Sequence, residues 1–69
     1  MKSKRQTEIL RIIETVDVET QDQLLSELKA RGIHSTQATI SRDIKELHLI
    51  KELTGYGSYK YVVSGRKLS

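Results

Sequence analysis

A set of small and hydrogen-bonding residues recurs at helical spacing in the middle of the chain: Ala38, Ser41, Arg42 and Lys45. The pattern predicts a helix over 37–47, in which positions i, i+3, i+4 and i+7 would form one narrow strip. A guanidinium can donate to guanine O6 and N7 together, a serine hydroxyl can donate or accept, and an alanine methyl can lie against a thymine methyl. The strip is therefore chemically suited to reading base edges in the major groove of duplex DNA.

The same strip has a second interpretation, as the solvated face of an amphipathic helix. The opposite face carries Ile40, Ile44 and Leu47, and the latter two lie within about 40° of Ile40 at 100° per residue. Thr39 and Glu46 lie on one flank of the strip. Residue types alone do not separate the two interpretations, so the fold around the helix has to decide.

Two further helices are predicted earlier in the chain, each beginning at a pair with the capping-box form: Ser3 with Gln6, and Thr20 with Gln23. In that form the Ser or Thr side chain accepts from the third helical amide, and the Gln side chain reaches back to the capping residue's amide. The predicted helices are 4–15 and 21–31. Apolar residues at helical spacing give them their buried sides: Ile9, Ile12, Ile13, Val16, Leu24, Leu25 and Leu28.

A tight turn should join the second helix to the third. Gly32 is expected to be the left-handed residue just past the second helix, with Ile33 folding back onto Leu28 in a Schellman turn. Ser35 or Thr36 can cap the third helix. Two helices joined by a short turn containing Gly form the helix-turn-helix unit, whose second helix projects outward and reads DNA. This context favours the base-reading interpretation of the strip.

The pattern changes after the third helix to two runs of β-favouring residues, 49–53 and 59–63, separated by Gly55-Tyr56-Gly57-Ser58. An isolated two-stranded hairpin is marginal in water, so it should pack on the helices as a wing. The predicted fold class is α+β, mainly α: a winged helix-turn-helix of three helices and a two-stranded β-hairpin wing. We expect this domain to span 1–63, with 64–69 as a tail or the start of a linker.

Three tyrosines and a lysine are the candidates for contacts made by the wing. Lys60 would meet phosphate or the minor groove. Tyr56, in the turn, is the better candidate for an exposed aromatic residue. Tyr59 and Tyr61 share one face of the second strand because side chains alternate, and for them core filling is at least as good an interpretation as DNA contact.

The composition argues against several other functions for these 69 residues. With no cysteine there is no thiolate metal site, and the isolated His34 and His48 give little support to a metal or catalytic role. The net charge is +3, but residues 12–28 carry five carboxylates and no Lys or Arg, so basic groups flank an acidic block. One basic face for a polyanion fits this pattern, and a solvated face fits it equally well, so charge alone does not decide between them. We predict no enzyme chemistry and no membrane partner, and we expect a cytoplasmic protein.

One long run, TQATISRDIKEL at 36–47, is preceded by ETQDQL at 19–24 and followed by GSYKY at 57–61. In this order and spacing the three segments closely resemble the bacterial arginine repressor family. The resemblance implies a winged helix-turn-helix domain that binds operator DNA, in a protein that assembles as a hexamer and uses L-arginine as corepressor. It also implies that Ser41 and Arg42 are central to operator contact, and that Gln37 and the wing lie near DNA.

In that family an arginine-binding and oligomerising domain follows the DNA-binding domain. We expect the present chain to be the DNA-binding half alone, mainly monomeric and without a cofactor of its own. The fold leaves one alternative function open, a winged helix that binds protein through the acidic second helix or the hairpin edge. Salt separates the two, because binding to several phosphates weakens steeply as salt rises and an apolar protein contact does not.

Overall fold

The computed structural model describes residues 3–64 and confirms the winged helix-turn-helix. Its elements in chain order are α1 (Lys4–Thr15), α2 (Gln21–Ala30), α3 (Gln37–Glu46), β1 (Leu49–Leu53) and β2 (Tyr59–Val63). α2 and α3 each end one residue earlier than predicted, because Arg31 and Leu47 are cap residues that follow the last helical residue. None of these helices is long and apolar enough to cross a membrane. Of the predicted tail at 64–69, only Ser64 lies among the described residues.

All three helices begin at a side-chain cap, as predicted. The Ser3 and Thr20 hydroxyls accept from the amides of Gln6 and Gln23, each over 3.1 Å. Thr36, not Ser35, caps α3 and accepts from the Thr39 amide over 3.3 Å. Each cap satisfies one backbone donor that has no partner within its own helix.

The prediction that each Gln side chain reaches back to its capping residue's amide is wrong at both sites. The Gln6 carboxamide does not turn back to its cap but donates across to α3. The Gln23 carbonyl accepts from the amide of Glu19, one residue before the cap, over 3.0 Å. In both cases a partner outside the helix offers the Gln side chain a better-placed hydrogen bond, so the short motif does not decide its orientation.

The turn between α2 and α3 has the predicted Schellman geometry. Gly32 has φ +82°, a left-handed conformation that suits a residue without Cβ. The Ile33 amide donates to the Leu28 carbonyl over 2.9 Å, and the Gly32 amide to Lys29 over 3.0 Å. Ile33 packs against the core, so the turn fixes how α3 leaves α2.

The core lies between the three helices and the inner face of the hairpin. Its buried apolar residues come from every element and from the α1–α2 connection: Ile9, Ile12, Ile13, Val18, Leu24, Leu28, Ile40, Ile44, Leu47, Leu49 and Tyr61. The prediction of a buried side for each helix is confirmed, with Val16 and Leu25 only partly buried at its margin. Val18 was not predicted, and its carbonyl accepts from the Tyr61 amide over 2.9 Å, which attaches the connection to β2.

Strand register explains why the two β2 tyrosines differ. β1 and β2 are antiparallel, with Lys51 opposite Tyr61 and Leu53 opposite Tyr59. Tyr61 is buried, as the core-filling interpretation predicts, whereas Tyr59 is 55% exposed and Leu53 is 59% exposed. Tyr59 lies on the same face as Tyr61 but two residues nearer the turn, opposite the exposed Leu53, so core filling holds for Tyr61 and not for Tyr59.

Candidate nucleic-acid interface

The predicted strip lies on the outer side of α3. Ile40, Ile44 and Leu47 are buried on the inner side, so the orientation of the helix is fixed by its packing. The residues predicted to contact DNA on this helix are all exposed or half-buried: Gln37, Ala38, Thr39, Ser41, Arg42 and Lys45. Ser41 and Thr39 are half-buried and the other four are exposed, with Arg42 and Lys45 the longest side chains among them.

A polar cluster that the sequence prediction missed holds α3 against α1. Asp43 is 1% exposed, and its carboxylate accepts from Arg5 Nε and Nη2, the latter over 3.0 Å. The Gln6 carboxamide donates to Asp43 Oδ1 over 3.0 Å and to Glu46 over 2.9 Å. Two adjacent residues of α1 therefore bind two residues of α3 and set the angle at which the outer strip is presented.

The ion pair inside this cluster shifts both ionisation equilibria. Hydrogen bonds from Arg5 hold the pKa of the Asp43 carboxyl below its ordinary value, although burial of the carboxylate acts in the opposite direction. The same hydrogen bond raises the pKa of the Arg5 guanidinium. Both groups are therefore charged at neutral pH, and the buried carboxylate is fully paired.

A signal for this cluster was available in the sequence. Asp43 comes three residues after Ile40, only about 60° from the inward direction, where a carboxylate requires a partner. The partner lies 38 residues away, and no local pattern identifies Arg5 rather than another basic residue. Asp43 could thus have been predicted to be paired, but its partner could not.

The wing carries both of its predicted contact residues near its tip. Tyr56 is 70% exposed, which confirms it as the exposed aromatic residue. Its hydroxyl donates to Asp17, and Lys60 Nζ lies 3.6 Å from the other Asp17 oxygen. Asp17 in the α1–α2 connection therefore holds the two wing side chains together.

Another carboxylate accepts a hydrogen bond from the start of α3. Gln37, in the first turn of α3, donates from its carboxamide to Asp22 in the first turn of α2. This contact joins the starts of the two helices of the helix-turn-helix. Nucleic acid that used Gln37 or Lys60 would have to replace an aspartate as the partner.

His34 and His48 are both exposed. Among residues 3–64, no three side chains of the metal-binding types come together in a way that could hold an ion. His48 has a structural peculiarity, since its φ of 57° is left-handed at the position that follows Leu47, the cap residue of α3. Its carbonyl accepts from the Ser64 amide over 2.7 Å, which closes the base of the hairpin.

Three helices, a packed hairpin and an outward polar strip on the third helix define a DNA-binding domain of the winged helix-turn-helix class. The family described as "Arginine repressor, DNA binding domain" matches residues 1–67. The chain belongs to this family, which consists of DNA-binding domains and not of enzymes. The resemblance noted in the sequence is thereby confirmed.

Curated relatives agree with the family assignment. The chain is 60% identical over 63 residues to an arginine repressor of Caldicellulosiruptor bescii, covering 91% of this chain and 41% of the relative. It is 62% identical over 61 residues to an arginine repressor of Clostridium novyi, covering 88% and 40%. It is 57% identical over 61 residues to that of Clostridium acetobutylicum, covering 88% and 41%. The chain thus spans about two fifths of the length of these relatives.

Proposed function

We propose that the chain binds duplex operator DNA as the DNA-binding domain of a cytoplasmic transcriptional repressor of arginine metabolism. In this proposal α3 enters the major groove, and the wing lies on the flanking backbone or in the minor groove. The observation that carries it is the division of α3 into an apolar face sealed in the core and an exposed strip of hydrogen-bonding and small side chains. An outward helix of this composition in a helix-turn-helix is what base reading requires.

The residues of the strip suit different contacts. Arg42 is exposed and long enough to donate to guanine O6 and N7 together. Ala38 and the half-buried Ser41 are small and protrude little from the helix. The helix backbone can therefore approach the bases closely. Gln37 and Thr39 lie at the start of the helix, where recognition helices contact base edges, and Lys45 is placed for phosphate near its end.

The wing residues suit contacts with the backbone. Lys60 lies on β2, which packs on α1 and pairs with β1, so its charge suits a phosphate contact apart from the bases proposed for Arg42. Tyr56 can lie along the sugar-phosphate chain or at the minor groove. Both side chains now face Asp17, so binding would exchange an aspartate for a phosphate as their partner.

A titration against two duplexes tests the proposal. The chain is mixed with an operator-containing duplex and a scrambled duplex of equal length, each at two salt concentrations. We expect tighter binding to the operator and a steep loss of affinity for both duplexes as salt rises. Equal affinities with little salt dependence would contradict the proposal and favour the protein-binding alternative.

The response to arginine and the assembly of the intact protein belong to the same proposal. We propose that L-arginine acts as corepressor through the three fifths of the relatives' length that this chain does not match. Hexamer formation would reside there as well. The matched part carries the DNA contacts, and alone it would be mainly monomeric and indifferent to arginine.

A further inference from the structure

We propose that Arg5 of α1 is itself a DNA contact, and that it binds one backbone phosphate from a recess beside the recognition helix. This inference rests on the proposed DNA binding. The predicted contact residues came from α3 and the wing, and none came from α1. The proposal adds a third element to the interface and gives Arg5 a role beyond its ion pair.

The guanidinium of Arg5 has donors left after it binds Asp43. Of its five N–H groups, Nε and one of Nη2 are directed at the carboxylate. Within residues 3–64 the remaining three have no acceptor, and the side chain is 32% exposed. One edge of the Arg5 guanidinium therefore faces solvent, while the other edge is held by the Asp43 carboxylate.

That open edge lies next to the strip. Arg5, Ala38, Thr39 and Arg42 line a shallow recess of about 280 Å³. Two arginines therefore contribute to the lining of one recess, beside the small Ala38. Arg42 lies near enough to Asp43 for its charge to help hold the pKa of that carboxyl down, so the two arginines share one electrostatic neighbourhood.

The chemistry of the recess favours phosphate over a base edge. Asp43 holds Arg5 at the margin of α3, so its guanidinium cannot follow the strip into the groove. The sugar-phosphate chain runs along this margin when a recognition helix occupies the groove. A guanidinium fixed in advance by a buried carboxylate loses little side-chain freedom on binding, and its free N–H groups can donate to the phosphate oxygens.

A charge-conserving double variant provides the test. Arg5→Gln with Asp43→Asn replaces the ion pair by a neutral pair that can still hydrogen-bond, and the net charge of the chain stays the same. Binding to operator and scrambled duplexes is measured over a range of salt concentrations, and thermal unfolding is measured in parallel. We expect both affinities to fall by a similar factor, and the slope of log K against log salt to decrease in magnitude by about one.

Two controls separate DNA contact from positioning. Glu8→Gln with Arg11→Gln removes another charge pair from α1 without changing the net charge, and should leave the slope unaltered. Asp43→Asn alone keeps the Arg5 charge, so its slope should be no smaller in magnitude than the wild-type slope. If the Arg5 double variant keeps that slope as well, Arg5 only positions α3 and the inference is overturned.

A measurement on the unaltered chain covers the case in which the double variant does not fold. Operator duplex is added to isotope-labelled protein, and the Nε–H resonances of Arg5 and Arg11 are followed by NMR. A shift for Arg5 together with none for Arg11 supports the phosphate contact, whereas an unmoved Arg5 signal at saturation refutes it. If the unaltered chain has no duplex preference and little salt dependence, the proposed function has failed instead.

Discussion

Arg42 and Asp43 are neighbours in the chain and have opposite environments. The first is exposed on the outer strip of α3, and the second is among the most deeply buried side chains of the molecule. Arg42 is available for recognition because Asp43 holds the helix in place. Substitutions at these two positions should therefore fail in different ways.

Arg42→Ala should remove specific binding and leave folding intact. Its side chain makes no core contact, and its proposed bidentate bond to guanine is worth about 1–3 kcal/mol of discrimination. Affinities for operator and scrambled duplexes should converge in a fluorescence anisotropy titration. Lys60→Ala is the comparison, since loss of a phosphate contact should weaken both duplexes equally. An Arg42→Ala variant that kept its preference for the operator would refute the assignment of Arg42 to base reading.

Asp43→Asn should lower the free energy of unfolding at neutral pH more than in acid. The pKa of this carboxyl is lowered in the folded state. The ionised carboxyl therefore contributes fully to the free energy of unfolding at any pH above its ordinary pKa near 4. That contribution is lost as pH falls through the folded-state pKa, because the unfolded chain takes up the proton more readily. Urea unfolding of wild type and Asp43→Asn should differ most at neutral pH and converge in acid. A difference that stayed constant down to pH 2 would contradict this explanation.

At the scale of elements, helix starts were predictable and their connections only partly so. Caps such as Thr20 and the Gly32 turn are local, and both were predicted from a few adjacent residues. The α1–α2 connection was not, because Val18 is buried by a strand more than 40 positions later. The last residues of α2 and α3 also differed, since helix ends depend on what the chain packs against next.

His48→Gly should stabilise the domain. A residue with a side chain in the left-handed region costs about 1–2 kcal/mol, and glycine's freedom in the unfolded chain offsets part of the gain. Because His48 is exposed and its φ is 57°, we expect a net stabilisation of about 0.5–1 kcal/mol. The check is the urea concentration at the midpoint of unfolding, which should rise while the slope of unfolding free energy against urea stays the same. Destabilisation would mean that the imidazole makes a contact that offsets the strain.

At the scale of the whole molecule, the orientation of the strip could be predicted but the way it is fixed could not. The apolar positions of α3 suffice to say which face points outward. The cluster around Asp43 and the aspartates that meet Lys60 and Gln37 join residues 15 to 43 positions apart. Such pairs depend on the complete arrangement of helices and hairpin, which no single segment specifies.

Two copies of the domain joined by a flexible linker should bind a double operator much more tightly than one copy. A single module buries about 600–1,000 Å² on DNA, and tethering makes the second contact intramolecular at an effective concentration up to about 1 mM. Gel-shift titrations of single and tethered chains, each with and without L-arginine, measure the gain. An arginine-dependent gain in the single chain would contradict the proposed separation of DNA binding from effector binding.

The hydrogen bond from the Tyr61 amide to the Val18 carbonyl divides the wing into two parts whose amides should exchange with solvent at different rates. Releasing this amide to solvent requires withdrawing the buried Tyr61 ring from the core, which amounts to unfolding the domain. Amides near the tip, around Gly55 and Gly57, can exchange with solvent through fraying of the turn alone. In deuterated buffer, Tyr61 should thus exchange at the rate set by global unfolding and the tip far faster. Rapid exchange at Tyr61 would show that the whole hairpin detaches from the helices as one flap.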